Sequence, residues 1–290
     1  MKPVLVIAGP TGAGKTAAAV AVAEAFSAVV VSADAMQVYR GMDIGTNKAT
    51  AEEQSRAVHF GIDVVDVDQP FDAADFVQLA DRVASDHEHV VLCGGTSLYL
   101  RSFTRGLVAT PAMDASLRAE LEALPDPHAE LARVDPVLAA RLHPNDTLRI
   151  VRGLEVFRAT GTRLSDLQSA HGLEPDRVPT VGLWLDRTDL DERIDARVLD
   201  MVERGYVDEV SGLLERGYAR TLKPMSSLGY RHLCDHLLDG LPLDQAILRT
   251  QRDTRRFARK QRTWMRGLGY VPTASIDEVL AAAARLFKPG

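Results

Sequence analysis

The residues whose types and spacing could do chemistry begin near the amino terminus, in the stretch GPTGAGKT at positions 9–16. This stretch matches the phosphate-loop pattern G-x-x-x-x-G-K-[S/T]. In such a loop, successive backbone N–H groups at the start of a helix surround an anion, and the lysine adds a mobile positive charge. The threonine hydroxyl is suited to ligate Mg²⁺. The expected diphosphate- or nucleotide-binding residues are Gly9, Pro10, Thr11, Gly12, Ala13, Gly14, Lys15 and Thr16.

A second candidate for chemistry is Asp34, which ends an apolar run and precedes Ala35, Met36 and Gln37. A carboxylate at the carboxyl end of a parallel strand, beside a phosphate loop, is placed to accept a proton from a ligand. The alternative is that it caps a turn or stands in the shell of a Mg²⁺ ion. The amide of Gln37 carries the donor and acceptor that suit an adenine edge.

The same loop allows other functions. Gly12, Gly14 and Ala17 also fit the dinucleotide fingerprint G-x-G-x-x-A, although the Lys-Thr pair favours a phosphate loop. Phosphate loops commonly serve ATP, and ATP enzymes usually place a Mg²⁺-binding acid after a later strand. Here the corresponding apolar run is followed by Gly-Gly-Thr at 94–96. A small-molecule kinase using ATP, and an RNA-binding protein with a nucleotide switch, remain alternatives.

Four short apolar runs must position these residues, at 3–8, 28–34, 89–95 and 180–186. Buried strands that alternate with helical stretches predict an α/β fold, with a parallel P-loop-type sheet flanked by helices. Residues 108–178 carry only short helical segments, broken by proline and glycine, and predict a helical insertion domain. The catalytic core is therefore expected to comprise 1–107 and 179–290, with a long helix over 243–266.

The composition of the 290 residues excludes an evenly basic coat, because 40 acidic residues outweigh 34 basic ones for a net charge of −6. The basic charge is concentrated locally. Between Arg249 and Arg266 there are eight basic residues and one acid, and arginines 252, 255, 259, 262 and 266 share a helical face. We expect this stripe to contact nucleic-acid phosphates. Two isolated cysteines, and no predicted signal or spanning segment, favour a cytoplasmic protein without a membrane partner.

Several longer motifs occur in one order along the chain. They are SADAMQVYRGMDIGTNK at 32–48, GGTSLYL at 94–100, HPNDTLRIVRGLEVF at 143–157, DERIDARVLDMVERGYVDEV at 191–210, LGYRH at 228–232 and RRFARKQRTWMR at 255–266. Through them nearly the whole chain resembles the bacterial tRNA dimethylallyltransferases of the IPP transferase family. Ala35, Phe60 and His232 depart from residues common in that family.

The resemblance implies transfer of a dimethylallyl group from dimethylallyl diphosphate to N6 of adenosine 37, beside the anticodon of tRNAs that read codons beginning with U. It implies Mg²⁺ as cofactor, the tRNA anticodon stem-loop as partner, a monomer, and catalytic roles for Asp34, Thr16 and Arg197. The implied tRNA contacts are Asp34, Ala35, Met36, Gln37, Thr96, Arg118, Leu148, Arg149, Ile150, Val151, Arg152, Arg255 and Arg259.

Overall fold

The computed structural model of the protein describes residues 2–112 and 114–287. The chain divides into two compact units. The first, here called the sheet unit, contains the residues up to Gly106 and those from Arg177 onward. The second, the helical unit, is Leu107–Asp176. These limits lie close to the insertion predicted from the sequence at 108–178.

The described residues of the sheet unit form six parallel strands in the order β3-β2-β4-β1-β5-β6. The strands are β1 (Val4–Ala8), β2 (Val29–Ser32), β3 (His59–Phe60), β4 (Val90–Gly94), β5 (Thr180–Leu185) and β6 (Val271–Thr273). The predicted α/β class with a parallel P-loop-type sheet is confirmed. The sequence had not indicated β3 or β6, which occupy the two edges.

Helices cover both faces of the sheet and make up the helical unit. In chain order they are α1 (Lys15–Phe26), α2 (Ala51–Arg56), α3 (Ala73–Asp86) and α4 (Ser97–Arg105), then α5 (Ala115–Glu122), α6 (Pro127–Val134), α7 (Pro136–Ala139), α8 (Thr147–Thr160) and α9 (Leu164–Gly172) of the helical unit, then α10 (Leu190–Glu203), α11 (Tyr206–Glu215), α12 (Tyr230–Asp239), α13 (Leu243–Gly267) and α14 (Ile276–Phe287).

Strand β1 shows why the strands read as continuous apolar runs. Val4 and Val6 face a core that also contains side chains of α3, α4, α11 and α12. Leu5 and Ile7 face the opposite core, formed with α1 and α14. Because successive side chains of a strand point to opposite faces, a sheet buried on both faces needs apolar residues at every position. The carboxyl ends of these strands are therefore left as the place for polar groups.

The helical unit has its own core, to which Leu121, Leu131 and Leu154 contribute. Helices α5 to α8 each begin after an aspartate, whereas α9 begins after Arg163. Asp126 and Asp135 each precede a proline at the first helical position and accept a backbone N–H of the first turn. The Asp-Pro pairs that interrupt the helical pattern of this region in the sequence therefore mark the starts of helices. No strand occurs in residues 107–112 and 114–176.

The chain leaves and re-enters the sheet unit at one point. The carbonyl of Thr104 accepts the N–H groups of Arg177 and Val178, at 2.8 and 3.2 Å. The Arg177 guanidinium also pairs with Asp81 at 2.7 Å. None of the helices in the described part of the chain is both long and apolar enough to span a membrane.

Candidate active site

The phosphate loop joins β1 to α1 and depends on glycine for its path. Gly9 has a φ of +155°, and a Cβ there would lie 2.7 Å from the backbone oxygen of Leu185 on β5. Gly12 and Gly14 have φ values of +86° and +89°, in the left-handed region that favours glycine. The loop therefore takes the tight path that aims backbone N–H groups at the space above the start of α1.

Three cationic side chains surround this loop. Lys15 Nζ donates to the carbonyl of Pro10 at 2.9 Å. From α10, Arg197 donates to the Thr11 hydroxyl at 2.6 Å, and Arg193 donates to the carbonyl of Gly12 at 3.1 Å. Burial lowers the pKa of Lys15 and of Arg197, because their charged forms lose water. A bound anion would offset that loss, so the geometry favours a phosphate ligand here.

Asp34 follows β2 and lies half-buried close to the loop. Its Oδ1 accepts the N–H of Met36 at 2.9 Å. The next residue, Ala35, donates its N–H to the Thr96 hydroxyl at 3.0 Å, and the Thr96 N–H donates to the carbonyl of Ala33 at 3.1 Å. The segment after β2 is thus joined to the segment after β4. Within the described residues, Asp34 Oδ2 has no hydrogen-bond partner and is available to a ligand.

The amide of Gln37 is largely engaged inside the protein. Its Oε1 accepts from the Ser32 hydroxyl at 2.7 Å, and its Nε2 donates to the carbonyls of Thr46 and Asn47 at 3.3 and 3.1 Å. These bonds hold the loop after β2 in place. A contact of Gln37 with an adenine edge stays a prediction, and in this conformation only a lone pair of Oε1 is left for it.

These groups line a cavity of about 790 Å³, whose lining residues all belong to the sheet unit. The phosphate loop, Lys15, Arg197 and Asp34 line it together with Met201, Tyr206 and other apolar side chains. This volume is typical of pockets for small ligands. Cys93 also lines the cavity, but burial raises the pKa of its thiol to about 11, which makes it a poor nucleophile at neutral pH.

Two charged residues that the sequence did not single out shape one wall of this cavity. Lys48 is buried, and its Nζ donates to Asp43 and Asp63 at 2.6 and 2.5 Å. The Glu209 carboxylate on α11 accepts the backbone N–H groups of residues 43, 44 and 45, at 2.8, 2.6 and 3.1 Å. The Tyr230 hydroxyl also donates to Glu209, at 2.6 Å. Lys48 and Glu209 both lie within motifs that carry the family resemblance. Their role in holding the segment at 43–45 becomes visible only from their long-range partners in the structure.

Tyr206 fills a slot between two glycines at the same wall. A Cβ on Gly45 would lie 2.2 Å from the Tyr206 ring, and one on Gly229 would lie 2.5 Å from its hydroxyl. The hydroxyl is buried without a hydrogen-bond partner in the described residues. Burial raises the pKa of Tyr206 well above its ordinary value, so the hydroxyl stays protonated.

Helix α13 crosses the site and contributes Gln261. This buried amide accepts the N–H of Thr11 at 2.9 Å and donates to the carbonyl of Gly95 at 2.9 Å. This role could not be predicted from the residue pattern, because Gln261 stands among arginines that dominate the helix.

The predicted arginine stripe of α13 is only partly exposed. Arg255 pairs with Asp195, Arg259 with Asp191 at 3.1 Å, and Arg262 with Asp186 at 2.7 Å. The side chains of Arg255 and Arg262 are 27% and 25% exposed, whereas that of Arg259 is 56% exposed. The expected phosphate contacts of this stripe stay a prediction, and Arg255 and Arg262 already pair with acids on and before α10.

Other basic residues of α13 are exposed beside the cavity. Arg256 and Lys260 have no ion pair in the described residues, and both line a second cavity of about 320 Å³ with Arg231. This cavity shares Leu228 and Phe257 with the large one. Trp264 on the same helix is 52% exposed. The lining of the second cavity thus carries three basic side chains and one acid, Asp253, an excess of positive charge that suits phosphate contacts.

The predicted tRNA-contact residues of the helical unit divide into three groups. Leu148 and Arg149 at the start of α8 are exposed. Arg118 and Arg152 both pair with the buried Glu155, at 2.8 and 3.1 Å. Ile150 and Val151 lie in the core of the unit with exposures of 1% and 0%, which leaves their side chains no surface for an RNA contact. The expectation is corrected for those two residues.

No group of three or more histidine, cysteine, aspartate or glutamate side chains among the described residues could hold a metal ion by itself. The two histidines of α12 already have partners within the protein. His232 contacts Asp253 at 3.2 Å, and His236 contacts the carbonyl of Leu241 at 2.6 Å.

Comparisons with known proteins agree with this site. The family model of the IPP transferases matches residues 37–268. The chain is 47% identical over 274 residues to the tRNA dimethylallyltransferase of Geobacter metallireducens, covering 90% of this chain and 89% of that protein. It is 46% identical over 302 residues to the tRNA dimethylallyltransferase of Geobacter sulfurreducens, covering 98% and 96%.

Solved structures are also similar. A full-length tRNA isopentenylpyrophosphate transferase from Bacillus halodurans has a TM-score of 0.73 at 33% identity, covering 99% of this chain and 97% of that one. A eukaryotic dimethylallyltransferase, captured acting on tRNA, has a TM-score of 0.77 at 27% identity, covering 91% of this chain and 70% of that one.

Proposed function

The chain belongs to the IPP transferase family, and from that premise we propose that it is a tRNA dimethylallyltransferase. It transfers a dimethylallyl group from dimethylallyl diphosphate to N6 of adenosine 37, in tRNAs that read codons beginning with U. The products are N6-(dimethylallyl)adenosine and diphosphate. The observation that carries this proposal is a single cavity lined by both a phosphate loop with three cations and Asp34.

The phosphate loop serves the leaving group. An allylic C–O bond breaks readily when the diphosphate that departs is stabilised, and negative charge grows on its oxygens in the transition state. Backbone N–H groups of the loop, Lys15, Arg193 and Arg197 all lie where they can stabilise that charge. Donors that are already oriented and partly shielded from water do this with little reorganisation. The loop consumes no ATP in this reaction.

Asp34 serves the acceptor. The N6 amine of adenine is a weak nucleophile, because its lone pair is delocalised into the ring, and it must lose a proton as the C–N bond forms. Oδ1 of Asp34 holds the N–H of Met36, whereas Oδ2 has no partner in the described residues. Oδ2 is therefore the oxygen that takes the proton, while the electron pair of the broken C–O bond leaves with the diphosphate.

The donor set of the loop fits a Mg²⁺ ion. The hydroxyl of Thr16, at the start of α1, lines the cavity and has no hydrogen-bond partner in the described residues. Mg²⁺ usually keeps several waters and binds through one or two protein oxygens plus phosphate oxygens. Thr16 would hold the ion through its hydroxyl, and the ion would supply positive charge to the diphosphate. We expect Thr16→Ala to weaken the dependence of activity on Mg²⁺.

The basic surface of α13 serves the RNA backbone. Adenosine 37 is stacked in the anticodon loop and must be turned out to enter a cavity of this kind. Arg256 and Lys260 line the second cavity and are exposed, and Arg259 is exposed on the same helix, so these side chains can hold phosphates while the base enters. We also propose that Leu148 and Arg149 of the helical unit contact the tRNA. The protein is proposed to act as a monomer.

The test is incorporation of label from radioactive dimethylallyl diphosphate into tRNA by the purified protein, with Mg²⁺ and without ATP. We expect label in the anticodon loop, and no label in a transcript that carries guanosine at position 37. ATP hydrolysis stimulated by a small molecule, without any transfer to tRNA, would instead indicate a kinase.

A further inference from the structure

We infer that Gln261 is a positioning residue that fixes the diphosphate end of the cavity relative to its acceptor end. The inference rests on the proposed function, because it assigns the two ends to the leaving group and to the adenine. Gln261 is 7% exposed and belongs to α13, whereas its two partners belong to the phosphate loop and to the segment after β4.

The bond to the phosphate loop fixes one of the loop's own N–H groups. Thr11 donates its N–H to Gln261 Oε1 at 2.9 Å, and the Thr11 hydroxyl accepts from Arg197 at 2.6 Å. Thr11 is therefore held from both sides, by α13 and by α10. The position of the loop is set by these helices as well as by the turn itself.

The second bond leads to the acceptor end. Gln261 Nε2 donates to the carbonyl of Gly95, and a Cβ on Gly95 would lie only 2.3 Å from that nitrogen. The next residue, Thr96, accepts the N–H of Ala35 and donates to the carbonyl of Ala33. The single amide of Gln261 thus connects the loop for the leaving group to the two residues that flank Asp34.

Only an amide satisfies both partners. A glutamate in this place could accept from Thr11, but it would turn a carboxylate oxygen towards the carbonyl of Gly95. A methionine has a similar volume and supplies neither bond. A contact of Gln261 with RNA is a weaker explanation, because the side chain is buried and both ends of its amide are occupied.

The same helix offers a matched control in Gln251. This glutamine is also buried, at 9% exposed, and its Nε2 donates to a backbone carbonyl, that of Asp195, at 3.0 Å. It lies outside the cavity lining. Gln251→Met therefore reports what the loss of a buried amide from α13 does to the stability of the fold alone.

The experiment compares the wild type with Gln261→Met, Gln261→Glu and Gln251→Met. The measurements are Tm, tRNA affinity, affinity for inorganic diphosphate, and the single-turnover rate with both substrates bound. We expect both Gln261 variants to lose roughly 10- to 100-fold in rate, because a displacement near 1 Å between reacting groups costs that much. Their tRNA affinity should stay near that of the wild type, and Gln251→Met should lower Tm without lowering the rate.

A wild-type single-turnover rate in Gln261→Met would overturn the inference, and so would a loss of tRNA affinity large enough to explain a slower reaction. If the wild type itself transfers nothing, the proposed function fails separately. Diphosphate binding then decides: weaker binding in Gln261→Met than in Gln251→Met supports the positioning role, and equal binding refutes it.

Discussion

Asp34 has two proposed functions, to cap a turn and to act as the general base. Replacing Asp34 by asparagine removes the second function and keeps the first. The Asp34 Oδ1 accepts the N–H of Met36 at 2.9 Å, and an asparagine oxygen can accept the same bond. The amide nitrogen would then take the place of Oδ2. Asp34→Asn therefore keeps the local backbone and the volume of the side chain, but it removes the oxygen that accepts the proton from N6.

The expected loss follows from that single missing function. A positioned general base contributes about 10²- to 10⁴-fold to a rate, which corresponds to roughly 3–5 kcal/mol of the barrier. The phosphate loop and its three cations are untouched, so stabilisation of the leaving group should remain. Affinity for tRNA should change little, since phosphate contacts dominate such affinity.

The assay is the single-turnover rate of label transfer, with enzyme in excess over tRNA and with dimethylallyl diphosphate saturating. Asp34→Ala is the comparison, because it loses the bond to Met36 as well as the base. If Asp34 only caps the turn, Asp34→Asn should react at nearly the wild-type rate and only Asp34→Ala should be slow. That pattern would refute the role of Asp34 as base.

Three further predictions concern charge and burial. Arg256→Gln should flatten the slope of log tRNA affinity against log salt by somewhat under one unit. Arg262→Gln should leave that slope unchanged and lower Tm, because it breaks the pair with Asp186; equal slopes in salt titrations of both variants would contradict this division. Tyr206→Phe should leave Tm unchanged or raise it, since an unpartnered buried hydroxyl costs about 1–3 kcal/mol; a clear fall in Tm would show that the hydroxyl has a partner. Hydrogen bonds from arginines lower the pKa of Asp253 to about 2, so the stability it contributes, on the order of 2 kcal/mol, should be present above pH 4 and lost as the pH falls towards 2. Urea unfolding at pH 6 and pH 3 should show Asp253→Asn losing less stability on acidification than the wild type.

Local patterns were enough to predict most of the fold. The phosphate loop, four of the strands and the long helix α13 could be located because each has its own signal within a few residues. Strands β3 and β6 have only two and three residues, too short for any periodicity to appear. They form by pairing with the neighbouring strands at the edges of the sheet. Such pairing depends on the assembled sheet and leaves no signal in the local sequence.

The partners of charged residues could not be predicted in the same way. Spacing places Arg255, Arg259 and Arg262 on one face of α13, but it does not say what that face meets. The positions of Lys48 and Gln261 likewise depend on contacts between distant segments. Ile150 is different, because it forms an apolar i, i+4 pair with Leu154, and that spacing could have indicated the core of the helical unit.

The carbonyl of Thr104 accepts the N–H groups of both Arg177 and Val178. Leu107–Asp176 is therefore an insertion, or closed excursion, whose two ends meet on the α/β domain. Its two ends are fixed side by side by the sheet unit itself. The excursion could therefore be cut out and replaced by a few glycines without stretching the chain. Closing a four-residue loop in place of this long one should reduce the entropic cost of loop closure by roughly 2.5 kcal/mol. A shortened protein of this kind would keep every residue that lines the large cavity.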